Sequence, residues 1–171
     1  MATYNTNTYA NAVPNYGSEQ QWLATLTVNY IPANAPALNI VQVGTTVTFD
    51  KFSGGDVTSS VNKHRPGGMG PEITYISLPT FSDITVSKVY ETQNDHNVIS
   101  DLHQLVGRAM VTLTLTPLDE EGNTYTGSNT NVIQPRTYWG RLTGVKDGGT
   151  DSTSNAPRMY EVDIAVESIS N

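Results

Sequence analysis

Three segments of the chain place an apolar side chain at every second position. Residues 22–30, 109–116 and 160–167 alternate in this way, with mostly polar side chains between the apolar ones. Such alternation is typical of strands with one face on a core and the other in water. The apolar faces are Trp22, Ala24, Leu26, Val28 and Tyr30; Ala109, Val111, Leu113 and Leu115; and Tyr160, Val162, Ile164 and Val166. Further strands are predicted over 38–50, 72–78, 82–90 and 136–145.

One segment has the spacing of a helix instead. Between Asn94 and Gly107 the apolar side chains fall one or two to a turn and form a single stripe, which predicts one short amphipathic helix. Asn94 or Asp95 is expected to cap its N-terminus, and Gly107 stands where a left-handed C-cap belongs. The stripe, expected to pack on the sheet, consists of Val98, Ile99, Leu102, Leu105 and Val106.

The order of these elements predicts a mainly β fold. It is a β-sandwich or half-barrel, flanked by the amphipathic helix, with a long loop or hairpin. Residues 19–171 form the single domain. Residues 1–18, rich in Asn, Thr and Tyr, are expected to be an extended arm, and residues 50–71, which contain two glycine-rich stretches, the long loop.

Composition narrows the function classes. The chain has 171 residues and no cysteine, which excludes disulfide scaffolds, thiolate metal sites and cysteine nucleophiles. It begins without the basic and apolar regions of a signal peptide, and it has no apolar run long enough for a membrane helix. The net charge of −7 argues against tight binding of nucleic acid. Only 15% of residues are charged, and the polar surface consists largely of 23 Thr, 15 Asn and 13 Ser.

No motif for catalysis or metal binding is present. His96 and His103 are seven residues apart on the predicted helix, too far to hold one ion, and are expected to face solvent. The glycine-rich run after Arg65 lacks the Lys-Ser/Thr ending of a phosphate loop, and residues 119–123 lack the spacing of a calcium loop. We therefore expect no enzyme activity, no cofactor and no metal.

Two binding hypotheses rest on individual side chains. The acidic residues Glu161, Asp163 and Glu167 share one face of the last strand. The simplest interpretation is that this face is exposed to solvent. The alternative is that two of the carboxylates form a catalytic pair for glycoside hydrolysis. Trp22, Trp139, Tyr138 and Tyr160 could form an aromatic platform for sugars. However, Trp22 and Tyr160 lie on predicted core faces, and only one of Tyr138 and Trp139 can face outward.

The chain resembles the major tail tube proteins of long-tailed bacteriophages, whose fold is shared with the tube of type VI secretion. The resemblance covers about residues 20–170 and rests on element order. An Asp-Ile-Thr-Val-x-Lys strand beginning at Asp83 precedes the lone helix, a Thr-rich strand follows over 111–116, and a strand with Trp139 and Arg141 leads to the alternating acidic strand.

The resemblance implies a structural protein that closes into hexameric rings, which stack into a hollow tube. Within the virion tail, assembled in the host cytoplasm, such a tube contacts a tape-measure protein and the terminator and baseplate proteins. DNA passes through it without specific binding. By position, arm 1–18 and loop 50–71 would join neighbouring rings, and no membrane is involved.

Two sets of side chains are candidates for these roles. Acidic residues on the lumen wall would repel phosphate, so that DNA slides past; the candidates are Glu161, Asp163 and Glu167, with Asp83 and Glu91 as additional ones. Contacts between subunits are expected from Lys51, Phe52, His64, Arg65, Met69, Arg136, Arg141 and Arg158, with Lys146 as a further partner for acids across a boundary. The alternatives are a carbohydrate-binding β-sandwich module, or another virion component such as a tube terminator or a capsid decoration protein.

Overall fold

A computed structural model describes residues 22–67, 70–118, 124, 134–149, 153 and 155–170. The elements are, in chain order, β1 Trp22–Tyr30, β2 Thr46–Phe49, β3 Lys51–Gly54, β4 Val57–Thr58, β5 Val61–His64, β6 Ile73–Ile76, β7 Thr80–Phe81, β8 Ile84–Val89, α1 Thr92–Leu105, β9 Met110–Pro117, β10 Arg136–Asp147 and β11 Met159–Ser170. The fold is mainly β with one helix, as predicted.

Seven strands form one antiparallel sheet in the order β2-β1-β9-β10-β11-β8-β3. The sheet curls into a half-barrel. Its first and last strands, β2 and β3, are joined by Asp50 alone. The Asp50 N–H donates a hydrogen bond to the Ser87 carbonyl on β8 at 3.0 Å, so the two ends of the sheet meet at this residue.

The concave face of the sheet carries the core. The three alternating segments bury most of the side chains expected from their pattern, among them Leu26, Leu113 and Ile164, each without exposed surface. Tyr160 and Phe49 stack edge to face with ring centroids 5.8 Å apart. Period-two alternation therefore identified β1, β9 and β11, three of the five inner strands of the sheet.

Helix α1 covers this core at one side. Ile99, Leu102 and Leu105 are buried, and Val98 and Val106 pack against them, which confirms the predicted stripe. Gly107 has φ of 73°, the left-handed conformation predicted for a C-cap.

The start of the helix differs from the prediction. Glu91 precedes the first turn and neither Asn94 nor Asp95 caps it. Asp95 lies inside the first turn, where its carboxylate accepts a hydrogen bond from the Glu91 backbone N–H at 2.9 Å and another from Lys88 Nζ at 3.1 Å.

The segment before β2 also differs from the prediction. A strand was expected over 38–50, but only Thr46–Phe49 joins the sheet. The backbone N–H groups of residues 39–41 point instead at the buried carboxylate of Asp101 on α1, at 2.7–2.9 Å. Donors used in this way are not available to a neighbouring strand, so residues 38–45 form a loop fixed to the helix.

Two aromatic residues expected in the core are half exposed. Trp22 is 47% exposed and Tyr30 52% exposed. Trp22 is on the core side of β1 but lies opposite Pro117 at the end of the pairing with β9, where the core is no longer wide enough to cover it. The register of β1 shifts between Val28 and Tyr30, and this bulge takes Tyr30 out of the alternation.

Residues 50–71, expected to be a long loop or hairpin, begin with β3 and continue into a hairpin. Strand β4 pairs with β7, and β5 pairs with β6, so that residues 57–64 and 73–81 form one two-stranded ribbon. We call these residues the ribbon. Ser60 and Ser77 join its two halves, with the hydroxyl of Ser77 accepting a hydrogen bond from the Ser60 N–H at 2.9 Å. The predicted arm 1–18 lies outside the described residues.

Candidate assembly surface

The convex face of the sheet has a charged half. Arg141 on β10 contacts Glu167 on β11 at 2.8 Å, and Lys146 contacts Asp163 at 2.9 Å and Glu161 at 3.6 Å. Thus the three acidic residues predicted to share one face do lie on one face. Each of them is paired with a basic residue of the same chain, which weakens the field that they project into solvent.

Asp163 is the most strongly held of these acids. Partial burial opposes its ionisation, but hydrogen bonds from Lys146 Nζ and, at 2.7 Å, from Thr85 Oγ1 outweigh that effect and keep the pKa of the carboxyl below its usual value. The hydrogen bond between Asp163 and Lys146 also raises the pKa of the Lys146 ammonium group. The pair therefore stays ionised over a wide pH range.

The other half of the convex face is uncharged. Two rows of side chains cross five neighbouring strands, and all but one of their members carry a hydroxyl group. The register gives the rows as Thr48, Thr25, Thr114, Thr137 and Ser170, and Thr46, Thr27, Thr112, Trp139 and Ser168. We call these ten residues the hydroxyl face. Asn29 donates a hydrogen bond to the hydroxyl of Thr112 at its centre.

The ribbon is the most exposed part of the described chain. All eight residues of β5 and β6 are exposed, and several are large and apolar: Tyr75 is 56% exposed, Ile76 72% and the neighbouring Leu78 86%. Apolar side chains held outside the core in this way are typical of surfaces that another protein covers. His64 and Arg65, predicted for subunit contacts, lie towards the tip, and Met69 lies outside the described residues.

The remaining predicted contact residues are dispersed. Lys51 and Arg136 are exposed at the beginnings of β3 and β10. Phe52 is partly buried and its ring packs against Tyr138, with centroids 5.8 Å apart, so it serves the core of its own chain. Arg158 lies over the ring of Tyr90, 4.6 Å from the centroid.

The two additional acidic candidates do not join the charged half of the convex face. Asp83 is exposed in the turn between β7 and β8. Glu91 stands at the start of α1, where its carboxylate accepts a hydrogen bond from Asn94 Nδ2 at 3.0 Å. The structure therefore brings together three of the five predicted acids.

The aromatic platform expected for sugars does not form. Tyr138 and Tyr160 are buried, and Trp22 and Trp139 point to opposite faces of the sheet. The two helix histidines are exposed as expected. Within the described ranges, no group of three His, Asp or Glu side chains could hold a metal ion. No helix in the same residues is long and apolar enough to cross a lipid bilayer.

Sequence reasoning missed two features of this surface. Pairing of Glu161, Asp163 and Glu167 with Lys146 and Arg141 could have been found only from the register of β10 on β11, which includes two bulges. The burial of Asp101 had a detectable signal: it stands three residues after Val98 and four before Leu105, which places it beside the apolar stripe of the helix.

Comparison with solved structures relates this fold to tail-like injection machines. Over 92% of this chain and 97% of the other, it is similar to a chain of the sheath/tube terminator of an extracellular contractile injection system, PVC, in the extended state, with a TM-score of 0.67 and 14% identity. A chain of the sheath-tube complex of that system aligns over 96% of both chains, with a TM-score of 0.62 and 16% identity.

A third structure is the tube terminating cap of the anti-feeding prophage. It aligns over 98% of this chain and 97% of the other, with a TM-score of 0.63 and 14% identity. All three are parts of tail-like injection assemblies. No protein-family model and no characterised protein sequence matches the chain. The fold is therefore one related to tail tubes.

Proposed function

We propose that this chain is a ring-forming structural subunit at the end of a phage-tail-like tube, as a terminator or cap. The observation that carries the proposal is the shared fold over nearly the whole chain with a chain from a tube terminator and one from a tube terminating cap. The same fold in a chain of a sheath-tube complex makes the repeating tube subunit the second candidate.

The exposed side chains support self-assembly. The ribbon presents an apolar surface that a neighbouring copy, in the same ring or the next, would cover. Scarcity of charge outside the convex patch favours broad contacts, since charged groups are depleted at interface cores.

Several finer points belong to this proposal. The ring is hexameric, the tube meets a tape-measure protein inside and sheath or baseplate proteins outside, and DNA passes without being bound. The particle is a virion tail or a related extracellular tail, assembled in the cytoplasm of the producing cell. The ion pairs of Glu161, Asp163 and Glu167 reduce the repulsion that these acids would exert on DNA, so we assign them a minor part in keeping the lumen free of bound phosphate.

The test is negative-stain electron microscopy of the purified full chain over a range of concentrations. Discrete rings that do not grow into filaments are expected for a terminator or cap, and hollow filaments would identify a repeating tube subunit. Trimers would favour a capsid decoration protein. A chain that stays monomeric at every concentration would overturn the proposal, and retention of that monomer on immobilised glycan would favour the carbohydrate-binding alternative.

A further inference from the structure

The dipeptide Asp147-Gly148 stands at the end of β10. It is the only place in the sequence where glycine follows aspartate, and nowhere does glycine follow asparagine. An aspartyl-glycyl bond is chemically labile. Glycine has no side chain to shield its peptide nitrogen from the carboxyl group before it, and it gives the backbone the freedom to bring the two groups together. The sequence therefore contains one site that is especially prone to rearrangement of the main chain.

The rearrangement consumes nothing but water. With the Asp147 side chain in its acid form, the Gly148 nitrogen attacks Cγ, an N–Cγ bond forms, and the N–H proton leaves with the carboxyl hydroxyl as one water molecule. Water then opens the resulting five-membered imide. Hydrolysis at Cγ restores aspartate. Hydrolysis at the Asp147 backbone carbonyl gives isoaspartate, in which the main chain runs through the side chain and is longer by one methylene group.

The fold requires glycine at position 148. A Cβ atom at Gly148 would overlap the carbonyl oxygen of Met159, because the backbone of β11 passes directly beside it. Asp147 itself pairs with Tyr160 in the register of β10 on β11. The close approach of these two strands therefore imposes the glycine that makes the preceding aspartate reactive.

Arg158 restrains both halves of the dipeptide. Its Nη2 lies 3.8 Å from Asp147 Oδ2, and its Nε donates a hydrogen bond to the Gly148 carbonyl at 3.2 Å. On α1, His103 Nε2 lies 3.7 Å from the same carboxylate oxygen. Attack on Cγ requires the Gly148 peptide to turn relative to the Asp147 side chain. Contacts that hold the carboxylate and the following carbonyl at the same time oppose that rotation.

Arg158 is itself held in place by Tyr90. The guanidinium lies over the tyrosine ring, 4.6 Å from the centroid, and the Arg158 backbone carbonyl accepts a hydrogen bond from the Tyr90 N–H at 2.8 Å. The Tyr90 hydroxyl in turn contacts His96 Nδ1 on α1 at 3.2 Å. The arginine is therefore fixed through both its backbone and its side chain, and its contacts to the dipeptide persist unless this end of the sheet opens locally.

We propose that Asp147-Gly148 is a latent isoaspartate site, and that Arg158, together with His103, keeps it from rearranging in the folded chain. The inference goes beyond the proposed function and does not rest on it. Isoaspartate would carry its free carboxylate on the main-chain side of the residue. The contacts that tie β10 to α1 and to the start of β11 would then be lost. In a tail particle outside the cell, protection would matter most, because a damaged subunit is no longer replaced by synthesis.

The test follows isoaspartate at Asp147 during incubation at neutral pH, well below the thermal midpoint. Peptide mapping with electron-transfer fragmentation distinguishes the two isomers and locates them. Arg158→Met keeps an unbranched apolar stem on Tyr90 but removes both contacts to the dipeptide. Arg141→Met is the matched control, because it removes another arginine that joins β10 to β11, through Glu167, without touching Asp147. Wild-type chain unfolded in urea gives the rate without any protection.

Folded wild type should form isoaspartate at least about tenfold more slowly than the urea-unfolded chain, because the reactive geometry is reached only on local opening. Arg158→Met should react severalfold faster than folded wild type, and Arg141→Met at the wild-type rate. Similar thermal midpoints of the two variants separate local protection from a general loss of stability.

Two results would overturn the inference. Equal rates in folded and unfolded wild type would show that the fold gives no protection. A folded Arg158→Met that reacts no faster than wild type would remove the arginine from this role. If Arg158→Met fails to fold, His103→Asn takes its place, since it removes the other contact from an exposed helix position. Its rate should exceed that of wild type, and an unchanged rate would count against the inference in the same way.

Discussion

The carboxylate of Asp101 accepts a hydrogen bond from the backbone N–H of Ile40 at 2.7 Å, although the two residues are 61 positions apart in the sequence. The N–H groups of Asn39 and Val41 bind the same carboxylate at 2.9 Å, and Asn39 Nδ2 adds a further contact at 3.0 Å. One buried side chain on the helix thereby fixes the path of the loop that leads into β2.

Replacing Asp101 by Asn is expected to lower the free energy of unfolding by about 2–4 kcal/mol, because one amide oxygen cannot satisfy the donors that two carboxylate oxygens now bind. Urea unfolding followed by circular dichroism measures the change. Asp56→Asn is the matched control, since Asp56 is exposed and should cost little. Equal effects of both substitutions would contradict this role of Asp101.

Lowering the pH should remove the stability that Asp101 gives to the folded state. Burial alone would raise the pKa of this carboxyl, but the hydrogen bonds from residues 39–41 outweigh burial and hold the pKa below its ordinary value of 3.8. A depressed pKa in the folded state adds stability at higher pH, and that stability falls as the pH drops below 3.8 and passes through the folded pKa. The difference in unfolding free energy between wild type and Asp101→Asn should shrink over that range. A difference that grows in acid would contradict the assignment.

The hydroxyl of Tyr160 makes no contribution through hydrogen bonding. It is buried without a partner among the described residues, and burial raises the pKa of the phenol, so the group stays neutral. We expect Tyr160→Phe to leave the chain as stable as the wild type or to stabilise it by up to about 1 kcal/mol, because an unsatisfied buried polar group is removed. Tyr160→Ala, which also removes the ring that packs on Phe49, should destabilise by about 3–5 kcal/mol. Thermal unfolding of the three proteins checks the order.

Removal of Lys146 should change the titration of Asp163 more than the stability of the fold. Lys146→Ala eliminates the hydrogen bond and the charge that lower the pKa of Asp163, so that pKa should rise towards or above its ordinary value. The free energy of unfolding should change little, since the lysine is exposed. Carboxyl-detected nuclear magnetic resonance of the dissociated chain follows the titration. Lys63→Ala on the ribbon is the control and should leave Asp163 unchanged.

Apolar side chains on the ribbon should matter for assembly and not for folding. Tyr75→Ser and Ile76→Ser each remove an exposed group that has no place in the core, so the thermal midpoint of the dissociated chain should be unchanged. Assembly should weaken by about tenfold or more for each, as for a buried residue at the centre of an interface. Sedimentation velocity over a concentration series measures this, with Thr74→Ser as control. Unaltered assembly would remove the ribbon from the contact surface.

The sequence by itself determined the elements whose signals are local. Alternation over 22–30, 109–116 and 160–167 identified β1, β9 and β11, and the helical stripe with Gly107 identified α1, because side-chain periodicity and a left-handed cap depend on a few adjacent residues. It also placed Glu161, Asp163 and Glu167 on one face, and it required that only one of Tyr138 and Trp139 face outward, which the structure shows to be Trp139.

Only the tertiary structure decided how these pieces meet. In the folded chain, residues 38–45 form a loop around Asp101, and Trp22 lies at the margin of the core. Three acidic side chains pair with Lys146 and Arg141, and Thr and Ser side chains from five strands align in two rows. Each of these depends on strand order, register and bulges, which set the neighbours of a side chain across tens of residues. Periodicity along one strand specifies the face on which a side chain lies, whereas its partners on that face are specified by the other strands.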